Sequence, residues 1–233
     1  MSTPRKIGTM NESSLHRKLK FQYTGKGGKT EVSAGEYIAD GRRKDGEYIE
    51  VQTGNFAPLK EKVKELAQGG NVRVIHPVGI KKIIEVYKPG NGVSCGTLLY
   101  RRKSPRKGSQ WDIFDALLSA PLLPLTPGLT IEIALVDILE KRVKDGKGSW
   151  RRKGISLYDK ELAAWHESII LGKPKDYLRF IPFKKKEEFT SSLLAEREGI
   201  DTETARKALY ILTKMKIVRR KGKTGNSWVY VRS

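Results

Sequence analysis

The sequence predicts an α/β protein: a mixed sheet flanked by helices, then an α+β middle module, then a small helical unit closed by a hairpin. Three observations predict it. Within residues 11–87 a helical apolar period alternates with short strand-like runs. Residues 129–143 are rich in β-branched side chains and end at Asp145-Gly146-Lys147-Gly148, a turn signal. Near the C-terminus, Ala205, Ala208, Leu209, Leu212 and Met215 fall on one helical stripe ahead of two short basic strands.

In chain order, residues 1–10 read as a loose tail, and Asn11 caps a helix through Glu12, Leu15, Leu19 and about Phe21. Gly25-Lys26-Gly27-Gly28 breaks the chain, and extended runs follow at 29–34, 36–40 and 47–52. The last two are joined by a basic hairpin loop carrying Arg42, Arg43 and Lys44. Leu59, Val63 and Leu66 mark one face of a helix that stops at Gly69-Gly70. Val72–Ile75 and Ile83–Tyr87 read as two further strands, which closes a domain over residues 11–92.

The stretch 101–108 is strongly basic and reads as a linker opening a middle module over 93–183. Trp111–Ser119 is expected to be helical, and 129–143 and 150–158 to form a hairpin. Its tip carries Lys144, Lys147, Arg151, Arg152 and Lys153. Residues 161–171 are expected to form a closing helix. In the unit 184–233, a helix over 191–198 ends at Gly199, Asp201 or Thr202 caps the next, and strands 217–221 and 227–232 flank Gly222–Asn226.

The 233 residues hold 46 Lys plus Arg against 26 Asp plus Glu, a net charge of +20. The excess is spread as +7, +6 and +7 over residues 1–100, 101–183 and 184–233. A basic surface along the whole body suits a phosphate backbone, so nucleic acid is the expected partner. The apolar run 116–125 is too short to span a bilayer and is broken by Pro121 and Pro124, so no membrane partner is expected. A lone Cys95 excludes a disulfide framework and a Cys-rich zinc site. With no apolar leader at the start, a cytoplasmic, nucleoid-associated protein is expected. His16, His76 and His166 lack ligand spacing, and His76, before Pro77, reads as a structural residue.

The densest chemical signal is Glu12, Asp40, Glu50 and Gln52. Alternation puts Glu50 and Gln52 on one strand face, and the hairpin carries Asp40 back beside Glu50. Two neighbouring carboxylates repel each other unless a cation neutralises them, and hard oxygen ligands suit Mg²⁺ or Mn²⁺. The plainer reading has Asp40 in a turn and Glu50 as a solvated strand residue.

Here the sequence resembles the PD-(D/E)XK phosphodiesterases, with their restriction-endonuclease-like fold. The resemblance runs over residues 11–87: the helix bearing Glu12, then Ala39-Asp40, then Glu50-Val51-Gln52, then the helix from Phe56. It implies a Mg²⁺-dependent DNA endonuclease in which Asp40 and Glu50 are metal ligands and Glu12 supports the site. Gln52 stands where the family usually has Lys. It can orient water or phosphate but carries no charge, and Lys60 on the following helix is a candidate to supply it. The C-terminal unit resembles winged-helix DNA-binding domains. By that resemblance Arg206 and Lys207 meet the duplex, and Lys221 and Lys223 on the wing follow the backbone. Arg42, Arg43, Lys44, Arg151, Arg152 and Lys153 are further candidate DNA contacts. A homodimer is possible on this reading. The alternative is a DNA-binding or regulatory protein on a nuclease scaffold that no longer cuts.

Overall fold

The computed structural model describes residues 12–90 and 95–233. The expected tail, Asn11 and residues 91–94 lie outside the described residues. The order is α1 (Ser14–Thr24), β1 (Lys29–Ala34), β2 (Tyr37–Arg42), β3 (Tyr48–Val51), α2 (Leu59–Gln68), β4 (Val72–Pro89) and β5 (Cys95–Lys103). Then come α3 (Ile113–Leu117), β6 (Leu129–Lys144), β7 (Ile155–Leu171), α4 (Ser191–Glu198), α5 (Thr202–Lys214), β8 (Val218–Thr224) and β9 (Ser227–Arg232). Short 3-10 turns precede α3, β6, β7 and α4.

The protein is α/β, with a mixed sheet flanked by helices. Among the described residues, β1 to β7 form one sheet in the order β1-β2-β3-β4-β6-β7. β1, β2 and β3 are an antiparallel meander, and α2 makes the crossover that lets β4 run parallel to β3. Along β4, β3 pairs with Val72–Ile75, and β5 then lies on the same long strand from Ile83 to Pro89. The other edge of β4 pairs with β6 in parallel from Val72↔Leu129 to Tyr87↔Val143. The boundary expected at residue 92 therefore falls within one sheet, since strands on either side of it pair with each other.

Two apolar clusters cover the two faces. α1 lays Leu15 and Leu19 on Ile49, Val51, Ile75, Ala134 and Val136. Each such buried side chain contributes roughly 1.5–3 kcal/mol. Ser13, not Asn11, caps this helix, its hydroxyl accepting the His16 N–H. At its C-terminal end α1 presses on β2, where a Cβ on Gly41 would stand 2.0 Å from the Thr24 hydroxyl. The larger cluster joins Phe56, Leu59, Val63 and Leu66 to Phe114, Leu117 and Phe180, and continues into Leu194, Leu209 and Leu212. The C-terminal unit is thus packed on the α2 side of the sheet. Asp201 caps α5 through the Thr204 N–H, and Gly199 closes α4 at φ 62°, as the sequence pattern requires.

Three expectations are corrected. Residues 161–171 are strand, not helix, continuing β7 to the pair Ile131↔Leu171. Helix propensity is a weak prior, and the open edge of the apolar strand β6 outweighs it. The two strands expected at 72–75 and 83–87 are one strand, broken in register only by a bulge between Gly79 and Lys81. Arg101, Arg102 and Lys103 are not linker but the end of β5, opposite Glu85, Ile84 and Ile83.

Candidate functional site

β2 and β3 pair only at Gly41↔Ile49 and Arg42↔Tyr48. Past that point the carboxylates of Asp40 and Glu50 replace backbone partners. Asp40 Oδ2 accepts the Val51 N–H at 2.8 Å, and Glu50 Oε1 accepts the Asp40 N–H at 3.1 Å. Each acid side chain is therefore bolted to the strand that bears the other, and the expected meeting of the two is present.

The flanking helices supply the charges. From α1, His16 Nε2 stands 3.2 Å from Asp40 Oδ2, while its Nδ1 stands 2.5 Å from Glu12 Oε1. One turn on, buried Lys20 reaches Glu12 at 2.9 Å and Glu31 at 3.3 Å. From α2, Lys62 Nζ lies 2.7 Å from Glu50 Oε2. The result is a chain of alternating charge, Lys20–Glu12–His16–Asp40, continued by Glu50–Lys62 across the splayed strands.

Burial and neighbours set the protonation. Glu50 is 3% exposed. Desolvation and then the Asp40 charge push its carboxyl up to about 7, against the pull of Lys62. Desolvation also pushes Asp40 upward, but His16, the Val51 N–H and Lys62 outweigh it and hold Asp40 below its ordinary value. Burial disfavours charge on His16, yet Asp40 and Glu12 raise it. His76 is kept neutral by burial, with Nδ1 2.6 Å from the Gln52 carbonyl oxygen and its ring edge-on to Phe56, the structural role expected of it.

Gln52 differs from expectation. Its amide donates to the Asn55 carbonyl at 2.5 Å, so the side chain braces the Thr53-Gly54-Asn55 turn instead of reaching into the carboxylate pair. Lys60 is exposed, and the charge comes from Lys62. The signal was present: position 62 adjoins Val63 on the buried stripe, whereas 60 lies outside it. His16 was likewise readable as one helical turn from Glu12. Lys62→Met leaves a buried carboxylate without its cation. It should cost about 3 kcal/mol at pH 8 by urea unfolding, whereas Lys60→Met should leave stability unchanged.

The candidate DNA contacts divide. Arg42 stacks on the Tyr48 ring at 4.8 Å, and Arg43 pairs with Asp45 at 3.2 Å, beside exposed Lys44. These arginines line a cleft with Glu47, Asn71 and Arg73 that includes neither Asp40 nor Glu50. Arg151, Arg152 and Lys153 are exposed at the β6–β7 tip. On α5, Arg206 faces outward, but Lys207 is tied to Asp115 at 2.9 Å and Glu203 at 2.7 Å, so it docks α5 onto α3. Tyr210 and Lys214, one and two turns beyond Arg206, complete the exposed stripe, with the Lys214 ammonium 5.8 Å from the Tyr210 ring centroid. Lys221 pairs with Glu188, and Lys223 lies 4.6 Å from the Trp228 ring.

Among the described residues no group of three or more His, Cys, Asp or Glu is arranged to hold a metal ion, and no helix is long and apolar enough to cross a membrane. The donor set on β2 and β3 is two carboxylates. Mg²⁺ sites typically keep several waters and take one or two protein carboxylates alongside phosphate oxygens.

From α1 to β7, then, the chain is an α/β domain that presents an acidic pair, one member of it buried, between two helices bearing cations. It belongs to the family described as domain of unknown function DUF8091, whose model matches residues 13–172. That span ends one residue past β7, so the matched region coincides with the sheet and its helices. The chain is also similar to an uncharacterized protein of Treponema pallidum (strain Nichols), 30% identical over 156 residues. The similarity covers 67% of this chain and 60% of that protein's length. No solved structure matches the chain significantly.

Proposed function

We propose that this chain is a metal-dependent DNA endonuclease on a restriction-endonuclease-like scaffold, with residues 184–233 acting as a winged helix that positions the duplex. The observation that carries the reading is the Asp40–Glu50 pair: two interlocked carboxylates, one of them buried, inside a protein of net charge +20. Burial and the Asp40 charge push the Glu50 carboxyl up to about 7, and perturbed carboxyls of this kind are concentrated at sites that take a cation or an anionic substrate.

Asp40 and Glu50 are the residues to hold Mg²⁺, which when bound supplies charge neutralisation at the phosphate and activation of water. With the cation bound, Lys62 would be free to meet a phosphate oxygen, the task that the PD-(D/E)XK enzymes usually give to a Lys at the place of Gln52. His16, tied to Glu12, orients Asp40. The stripe Arg206–Tyr210–Lys214 faces the duplex, and Lys223 follows the backbone from the hairpin.

The test is incubation of supercoiled plasmid with the chain and Mg²⁺ or Mn²⁺. Nicked or linear product is expected, and none with EDTA. One observation favours a second reading: Lys62, His16 and backbone N–H groups already engage both carboxylates. DNA binding without cutting of duplex, single-stranded, branched or modified DNA would make the chain a non-catalytic DNA-binding protein. Competition between RNA and DNA of equal length ranks the nucleic acid.

A further inference from the structure

We propose that the tip of the β6–β7 hairpin is a base-stacking site, and that the preferred ligand is a duplex with an unpaired base. The inference rests on the nucleic-acid part of the reading above, not on cleavage. Trp150 is 83% exposed. Burying an indole is worth several times the burial of a methylene group, so a ring left in water on an ordered turn lacks a partner.

The turn is ordered. Arg152 N–H and Lys153 N–H donate back to the Ser149 and Trp150 carbonyls at 2.9 and 3.0 Å. Asp145 clamps the base of the tip by accepting the Lys147 N–H at 3.0 Å and the Ser156 hydroxyl at 2.9 Å. The same tip carries Lys144, Lys147, Arg151, Arg152 and Lys153, against the single acid Asp145. The Arg151 guanidinium lies 5.6 Å from the ring centroid.

An exposed aromatic plane on a tip rich in cations matches a ligand that offers flat faces on a polyanionic thread. Stacking on aromatic side chains beside a basic track is how unpaired bases are held, and it tolerates any base. Lipid surfaces are held by several apolar side chains lying side by side, whereas between residues 145 and 154 Trp150 is the one large apolar side chain exposed. The second basic hairpin repeats the device: Trp228 has Arg220 at 4.5 Å and Lys223 at 4.6 Å from its ring. Glu50 is level with Val74 and Ile131 across the sheet. From there β6 runs to Lys144, roughly 40 Å along the strand, just over one turn of B-form duplex. One bound duplex can span both places.

The experiment is fluorescence anisotropy of the full chain in EDTA, with a short labelled duplex that is fully paired or carries one unpaired adenine. The expected result is about tenfold tighter binding to the unpaired form. Trp150→Ala should bring the two affinities to within about twofold of each other, and Trp150→Tyr should keep most of the preference. Equal affinities in the parent, or a preference that survives Trp150→Ala, overturns the inference. So does a shift of tryptophan emission on phosphatidylserine vesicles that Trp150→Ala removes. Cleavage of the same duplexes with Mg²⁺ is scored separately. A Trp150-dependent preference without cutting sinks the nuclease and leaves the stacking site, and cutting without that preference does the reverse.

Discussion

Asp40→Asn is expected to lower divalent-ion-dependent DNA cleavage on the order of 10³-fold. The amide keeps the size of the side chain and an oxygen to accept the Val51 N–H, the 2.8 Å bond that ties β3 to β2. It loses the negative charge that faces His16 at 3.2 Å and that a Mg²⁺ ion requires. Binding of the same DNA in EDTA should persist, because the basic surface is untouched. Plasmid nicking by the variant at the parent rate would remove Asp40 from the chemistry and the endonuclease reading with it.

Glu50→Gln is expected to gain stability relative to the parent as pH rises through 7, while abolishing the proposed divalent-ion-dependent cleavage. Glu50 has a folded-state value of about 7 against 4.5 ordinarily, so the folded protein holds its proton more tightly than the unfolded chain. The resulting stability is fully present below about pH 4.5 and is lost as pH rises through 7. The loss amounts to roughly 3 kcal/mol. His16 acts in the same direction: its raised value gives stability below about 6.5 that fades as the imidazolium loses its proton. Glutamine has no proton to lose. The difference in unfolding free energy between variant and parent should therefore grow by roughly 3 kcal/mol from pH 4.5 to pH 8. Urea unfolding at the two pH values measures it. A constant difference would mean that Glu50 stays charged throughout and that its burial is well compensated.

Much of this was legible in the amino-acid pattern where local physics decides. α2 and α5 follow from apolar stripes and caps, and the C-terminal helices and hairpin fall within three residues of expectation. Asp40 and Glu50 were visible because a turn of known length returns one strand beside the next. What remained hidden was set by distant partners. Glu161-Leu162-Ala163-Ala164 has good helix formers, and only the unpaired flank of β6 makes it a strand. β5 looked like a linker because its cations mask a pairing with β4. Lys207 looked like a DNA contact because nothing local announces Asp115 on α3. Lys62 was missed for Lys60 by judging charge and not the angle around the helix.

β4 has one more consequence. Its eighteen residues are the common wall of the meander, β5 and β6, and its pairing with β6 begins between residues 57 positions apart in the chain. That contact cannot form until the intervening loop closes, an entropic toll that local helices do not face. Assembly of this protein is therefore slow for its size, and until β6 arrives the long strand offers a bare edge to any other chain in the same condition.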